Sequence, residues 1–453
     1  MPESSRRAPS SLWPAAILTA YCMLLLALLG LTPLWLDELQ QFGSARHNSW
    51  AQLMNIALIV PGAAPLPYLF QNLVVDWLGF STWTARLPAA LSSLCAGVIF
   101  WSVAQDEKPR ARILALVLFL ALPLQFRYAL EARGYSMGLA CSLLSFRFFQ
   151  ALSRQPSIRR SLLYCASVMV GLYAHPFTCF PIVAQVLWVC WPARATRLRM
   201  AAVASAAVGA ASFLPWYFLQ GRAVARVKPT WDYFFSISQV RPAALLHDLT
   251  GGGYVCTIAI LGLCAIGVWL GRGNRSLFVC MAAVSLIGPI LADAYTSYFF
   301  ANRQLLFAMP AIILLAARGA DALLETRARA PLWAALLLGS FVAASIVADF
   351  RNATVPRDDL VASAGELAAR VHEGDCFLTA PPNMAAQFVL LRPELQNKVC
   401  ADTPAEAAYA VTNQYTRPQD RESLARRLGA RYRLAQTEHI GRTDFDRYES
   451  TGQ

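Results

Sequence analysis

The chain is short of charge. Only 15% of its 453 residues are Asp, Glu, Lys or Arg, where a soluble globular protein carries roughly 25%. Because 57% are hydrophobic, most of the chain needs a lipid solvent. No Cys-x-x-Cys pair occurs, which argues against a thiolate zinc site. Nine of the eleven cysteines lie in or beside apolar runs, where Cys acts as a small hydrophobe. No internal repeat or low-complexity segment stands out. No cleavable leader is expected, because the first apolar run exceeds the roughly 7–15 residues of a leader's core. The basic excess, +12, is not gathered on one face, so no nucleic-acid partner is expected.

What is present is a series of apolar runs long enough to span a bilayer, about 17–25 residues each. They fall at 13–34, 84–104, 111–127, 134–152, 158–174, 176–193, 199–219, 252–271, 276–294, 303–318 and 331–349. Arg6/Arg7, Lys108/Arg110/Arg112, Arg154/Arg159/Arg160, Arg194/Arg197/Arg199, Arg272/Arg275 and Arg318/Arg327/Arg329 mark every second connection. Those connections are expected in the cytoplasm, with the N-terminus on the same side. Residues 158–199 test the pattern. Both flanks are basic, so a hairpin is required, turning at "YAHPF" where Pro176 breaks the helix. A polytopic α-helical membrane protein of about eleven spans follows, and twelve Trp and fifteen Tyr suit its interfacial belts.

Residues 1–349 form the membrane part in this reading. Its first outer loop, 35–83, is far longer than an ordinary connection and contains "SWAQLMNIALIV" and "PYLFQNLVVDWLGF", two pieces suited to lying flat at the interface. A second outer loop, 220–251, carries Arg222, Arg226, Lys228 and a flexible "GGG". Residues 350–453 alternate helix and strand signals: "DDLVASAGELAARV", "CFLTA", "NMAAQFVLL", "AYAVTNQ" and "RESLARRLG". This predicts a small α/β domain on the extracytoplasmic side. An oxidising compartment permits a Cys376–Cys400 disulfide there; two separate thiols are the alternative. "RNAT" at 351–354 matches a glycosylation triplet that also arises by chance.

Ionisable residues near a membrane are costly and tend to be functional or paired. Here they gather in the outer connections: Asp37, Glu38 and Arg46, Arg86, the link "RYALEARGY", His175 and Arg303. Tyr128, Glu131 and Tyr135 share a face if that link is helical. Arginines suit phosphate oxygens, and a nearby carboxylate suits general-base work on a hydroxyl. Plainer readings stand beside these: Glu131 and Arg133 as an ion pair, Arg303 snorkelling, His175 as a turn residue. Asp106 and Glu107, among cytoplasmic cations, read as a solvated loop.

The order "LWLDELQ", "PLPYLFQNLVVDWLGFSTWTARLPAALSSL", "RYALEARGYSMGLACSLL", "GLYAHPF", "ANRQLLFAMPAIILLAARG" resembles the lipid-dependent GT-C glycosyltransferases. The likeness is to the protein O-mannosyltransferase and lipid A aminoarabinose transferase superfamily, glycosyltransferase families 39 and 83, and covers residues 13 to 320. It implies sugar transfer from a polyprenyl-phosphate carrier to an outer-face acceptor, with inversion. Asp37 would be the general base. Glu38, pointing about 100° away on a helix, would orient the acceptor, a cation or Arg46. Arg86, Arg133 and Arg303 would hold the carrier phosphate, while Tyr68, Tyr128, Glu131, Tyr135 and His175 line the crevice. Relatives often carry a His in the first loop where this chain has Ala64, so use of a divalent cation stays open. The acceptor could be a protein, lipid A, a polysaccharide or another carrier lipid, and the membrane the bacterial inner membrane. A lipid-linked glycan transporter or a non-catalytic assembly subunit are the competing readings.

Overall fold

The structure is a computed structural model. It describes residues 12–45, 50–60, 62–191, 194–227, 241–270, 275–296, 300–326, 329–380, 384–400, 405–413 and 416–450. Arg6, Arg7, Arg46, Lys228, Arg272 and Arg327 lie outside them. The chain divides into two compact units, Met1–Leu31 with Ser44–Thr354, and Thr32–Gly43 with Val355–Gln453. The division differs from a cut at residue 349 in that a piece of the first outer loop groups with the tail.

Helices run in the order α1 (Leu12–Leu28), α2 (Leu36–Ala45), α3 (Trp50–Ile59), α4 (Pro65–Leu78) and α5 (Thr82–Val103). There follow α6 (Pro109–Leu120), α7 (Pro123–Ala129), α8 (Tyr135–Arg154), α9 (Ile158–Ala174) and α10 (Cys179–Val189). Then come α11 (Thr196–Ala211), α12 (Leu214–Val227), α13 (Pro242–Asp248), α14 (Gly253–Leu270), α15 (Arg275–Thr296), α16 (Met309–Glu325) and α17 (Ala330–Thr354). Each expected span contains helix, some of them only in part. By length and composition, five helices among the described residues can cross a bilayer, or up to seven if α6–α7 and α11–α12, bent by 56° and 41°, each count once. Of the others, α8 is long enough, with 20 residues, but less apolar. The α1 helix ends at Leu28, before Gly30 and Pro33, and α10 has only eleven residues.

The first unit is held by one apolar core. Phe100 stacks on Phe119 at 4.3 Å, and Phe149 meets Tyr164 and Trp188. A Cβ on Gly267 or Gly319 would sit 1.8 or 2.0 Å from a carbonyl oxygen of the facing helix, so α14 and α16 cross backbone to backbone, as small residues allow in membranes. The "GGG" is packed rather than flexible. Thr250 accepts the Leu124 amide at 2.7 Å, and Gly251, at φ +76°, has no room for a Cβ beside Leu124.

The end of α8 opposite Tyr135 is laced by ion pairs. Arg318 grips Glu107 with two bonds of 2.7 Å, Arg110 pairs with Asp321, Lys108 with Glu325 and Arg154 with Asp106. Glu107 is therefore not solvated: its side chain is 7% exposed. The side chains of Glu107 and Asp321 are buried against their cations, whereas those of Lys108, Glu325, Arg154 and Asp106 stay exposed.

In the second unit, α18 (Leu360–Arg370), β1 (Cys376–Ala380), α19 (Met384–Leu391), β2 (Ala407–Asn413) and α20 (Pro418–Gly429) match the expected alternation. A final hairpin, β3 (Tyr432–Ile440) and β4 (Thr443–Ser450), was not expected. The sheet order is β1-β2-β4-β3, parallel at β1/β2 and antiparallel elsewhere. Cys376 and Cys400 are bridged. Asn352 of the "RNAT" triplet lies inside α17, not on a loop.

Candidate functional site

In the first unit the structure draws the link and the hairpin turn together. The link is not one helix: α7 ends at Ala129, Arg133 N donates to Glu131 O at 2.6 Å in a tight bend, and α8 restarts at Tyr135. Tyr128 and Tyr135 meet across this break with ring centroids 4.8 Å apart. The Ser136 hydroxyl, donating to Tyr128 O at 2.8 Å, holds the bend.

Tyr135 is the hub. The His175 ring lies 4.9 Å from it, the Arg303 guanidinium 5.5 Å and the Arg133 guanidinium 6.0 Å from its centroid, within cation–π reach. Arg127 stands 6.0 Å from the Tyr128 ring. Tyr128, Glu131, Tyr135 and His175 are buried, whereas the three arginines are half-buried. Close approach depends on Gly138, where a Cβ would lie 2.5 Å from the His175 Cβ. Phe307, one turn beyond Arg303, closes the other side at 5.2 Å from the His175 ring.

His175, in the turn between α9 and α10, accepts the Phe177 amide on Nδ1 at 3.2 Å. Burial, with Arg133 and Arg303 adding repulsion, pushes it down to about 3. The ring is therefore neutral with its proton on Nε2, a donor rather than a base or a cation.

Arg86 and Tyr68 are buried, and each serves the scaffold. One guanidinium N–H of Arg86 donates to Leu29 O at 3.1 Å, just past the end of α1, and Tyr68 joins the apolar core. Beside the cluster along the chain, a mainly apolar cavity of about 400 Å³ is lined by Leu66, Leu69, Leu73, Met137, Cys141 and Val170, with Asn72 and Asp76 also on its wall. Met137 follows Tyr135 by two residues. The α4 helix that forms one wall turns Leu73, Trp77 and Leu78 outward, an apolar face suited to lipid.

The second unit carries the acidic pair. Both residues lie in the first turn of α2, where carboxylates complement the helix dipole. Glu38 is fully buried and accepts the Trp35 amide at 3.2 Å. That is the return bond of a capping box, so Glu38 serves its own helix, a role not foreseen from the sequence. The Asp37 side chain is half-buried. Two tail residues also touch this turn: Asp358 accepts the Leu36 amide at 2.8 Å, and the Arg357 guanidinium lies 4.4 Å over the Trp35 ring.

Other residues escaped the sequence reading. His247 and Asp248 share a 2.6 Å contact, and Asp248 also accepts Asn302 Nδ2 at 3.0 Å, beside Arg303. A packed "HDLTGGG" was the available signal. Among the described residues, no group of three His, Cys, Asp or Glu side chains could hold a metal ion.

No protein-family model matches the chain, and no curated protein matches it by sequence. Solved structures do. ArnT from Cupriavidus metallidurans superposes with a TM-score of 0.59, covering 97% of this chain and 98% of that one. The identity is 13% to the apo state and 14% to the form bound to undecaprenyl phosphate. The apo oligosaccharyltransferase of Archaeoglobus fulgidus gives a TM-score of 0.55 at 9% identity, covering 94% and 70%. At such identities the likeness is one of architecture, and with its apolar helices it makes this chain an integral membrane protein of the GT-C glycosyltransferase fold.

Proposed function

We propose that the chain is a glycosyltransferase that moves a sugar from a polyprenyl-phosphate carrier to an acceptor on the extracytoplasmic face of the membrane. The observation that carries this reading is the pair of half-buried guanidiniums, Arg133 and Arg303, on one buried aromatic hub in a GT-C bundle. Two planar cations suit the carrier phosphate, a diester in the donor and a monoester once the sugar has left, and the mainly apolar cavity suits an isoprenoid tail. That the ArnT structure was obtained with undecaprenyl phosphate supports the same donor class.

In this reading an acceptor hydroxyl attacks the anomeric carbon from the face opposite the phosphate. The bond from that carbon to the phosphate oxygen breaks, and its electron pair stays on the carrier. Arg133 and Arg303 meet the growing charge; one such contact is commonly worth about 3 kcal/mol. The acceptor proton passes to Asp37, and the sugar's configuration inverts.

The test is Asp37→Asn in a strain lacking the native gene. The envelope glycan lost in that strain, read by mass spectrometry, should stay missing. The purified variant should still bind undecaprenyl phosphate as the native chain does. Restored glycan would remove Asp37 from the mechanism. A glycan that is never lost would point to a transporter or assembly subunit acting beside another enzyme.

A further inference from the structure

The tail is usually the part of such a chain to which acceptor choice would be assigned, but its contacts point elsewhere. Asp358 is 5% exposed. Its Oδ2 accepts the Leu36 amide at 2.8 Å, and its Oδ1 accepts the Leu360 amide at 3.4 Å. One carboxylate thus bridges the N-termini of α2 and α18, where unpaired amides and both helix dipoles favour a negative charge. The residue before it, Arg357, covers the Trp35 ring at 4.4 Å. Trp35 in turn is the residue whose amide Glu38 caps. Residues 34, 38, 39 and 41 of the α2 segment are buried.

A capping box normally takes its first bond from the N-cap side chain. Trp35 at that position has no acceptor, and Asp358, 322 residues further along the chain, supplies one. Asp37 lies one residue beyond the amide that Asp358 holds.

We infer that Asp358, with Arg357, is a positioning residue for Asp37: the tail fixes the direction and register of α2 and thereby the placement of the base. The inference rests on the proposed role of Asp37. Catalytic groups tolerate little misplacement, and a shift of about 1 Å can cost about a hundredfold.

Two variants delete the same hydrogen bond from opposite sides. Asp358→Ala removes the acceptor. Leu36→Pro removes the donor at the first helical position, where proline is tolerated. Each should lower glycan output per membrane-inserted chain by about tenfold to a hundredfold, and the double variant should be no worse than Asp358→Ala alone, because the bond that Leu36→Pro removes is already lost there. Asp358→Asn keeps an acceptor oxygen and should restore output to within about threefold, a neutral bond replacing a charge-assisted one. Binding of undecaprenyl phosphate should not change in any of them.

A direct readout avoids activity altogether. With 5-fluorotryptophan incorporated, the Trp35 signal in the fluorine spectrum is identified by its loss in Trp35→Phe. It should move in Asp358→Ala and Leu36→Pro and stay in Asp358→Asn. If Asp37→Asn abolishes output while Asp358→Ala and Leu36→Pro leave output and the Trp35 signal unchanged, the positioning inference is wrong and the proposed function stands. If Asp37→Asn retains output, Asp37 is not the base and the positioning inference falls with it. Should Asp358→Ala not accumulate in the membrane, Leu36→Pro and the asparagine variant decide the matter.

Discussion

At the scale of single residues, neighbours of the same chemistry do different work. Asp37 and Glu38 are adjacent carboxylates, yet Glu38 is committed to the Trp35 amide while Asp37 lies on another side of the turn. Periodicity foresaw that they diverge; it could not foresee which one would cap the helix, because that depends on the backbone of residues 33–36. Arg86 shows the same limit. As a residue type it suits phosphate; that one of its N–H groups also meets the carbonyl just past the end of α1 depends on where that helix stops. His175 yields a firm prediction. Its folded value is lowered from 6.5 to about 3, so the unfolded chain takes the proton first. Its contribution to stability is present above about 6.5 and is lost as pH falls toward about 3. The rate of transfer between pH 5 and 8 should carry no ionisation from His175. His175→Gln should leave the shape of that profile unchanged while weakening the site by about 1 kcal/mol, the value of one neutral hydrogen bond. A limb near 6.5 that vanishes in His175→Gln would contradict the neutral assignment.

At the scale of elements, the sequence was most legible where the signal was periodic and apolar. The α3 and α4 helices, the hairpin at "YAHPF", and the strands at "CFLTA" and "AYAVTNQ" all came from such patterns. The β3–β4 hairpin was missed because β3 is mostly exposed and polar, so its residues do not alternate as a half-buried strand should. Polar contacts stabilise it instead. Asp444 contacts His439 at 2.6 Å and pairs with Arg421. Partial burial opposes ionisation of Asp444, but the bonds to His439 and Arg421 outweigh it and hold the carboxyl below its ordinary 3.8. A depressed acid stabilises the fold above its unfolded value and loses that contribution as pH falls through the folded one. Thermal unfolding of the purified chain should therefore reach the tail at progressively lower temperature below about pH 4, and Asp444→Asn should flatten that dependence. An equal slope in both proteins would show that other carboxylates control it.

At the scale of the whole molecule, the ion pairs of Glu107, Asp321 and Glu325 mark one end of the helices, and the Tyr135 hub marks the other. The expectation from the basic clusters is that the first end faces the cytoplasm. In intact cells, a cysteine in place of the exposed Glu373 should react with an impermeant thiol reagent added from outside. One near residue 155 should react only after permeabilisation. The reverse result would invert the orientation and, with it, the side on which acceptors are met.

The grouping of Thr32–Gly43 with Val355–Gln453 also has a consequence in time. A ribosome making this chain delivers Leu36 to the membrane early and Asp358 322 residues later. Until then the turn that carries Asp37 has no partner for its first amide. On the positioning proposal, the helices of a nascent chain would enter the bilayer before that partner exists, and the placement of Asp37 would be completed only once Asp358 has been made.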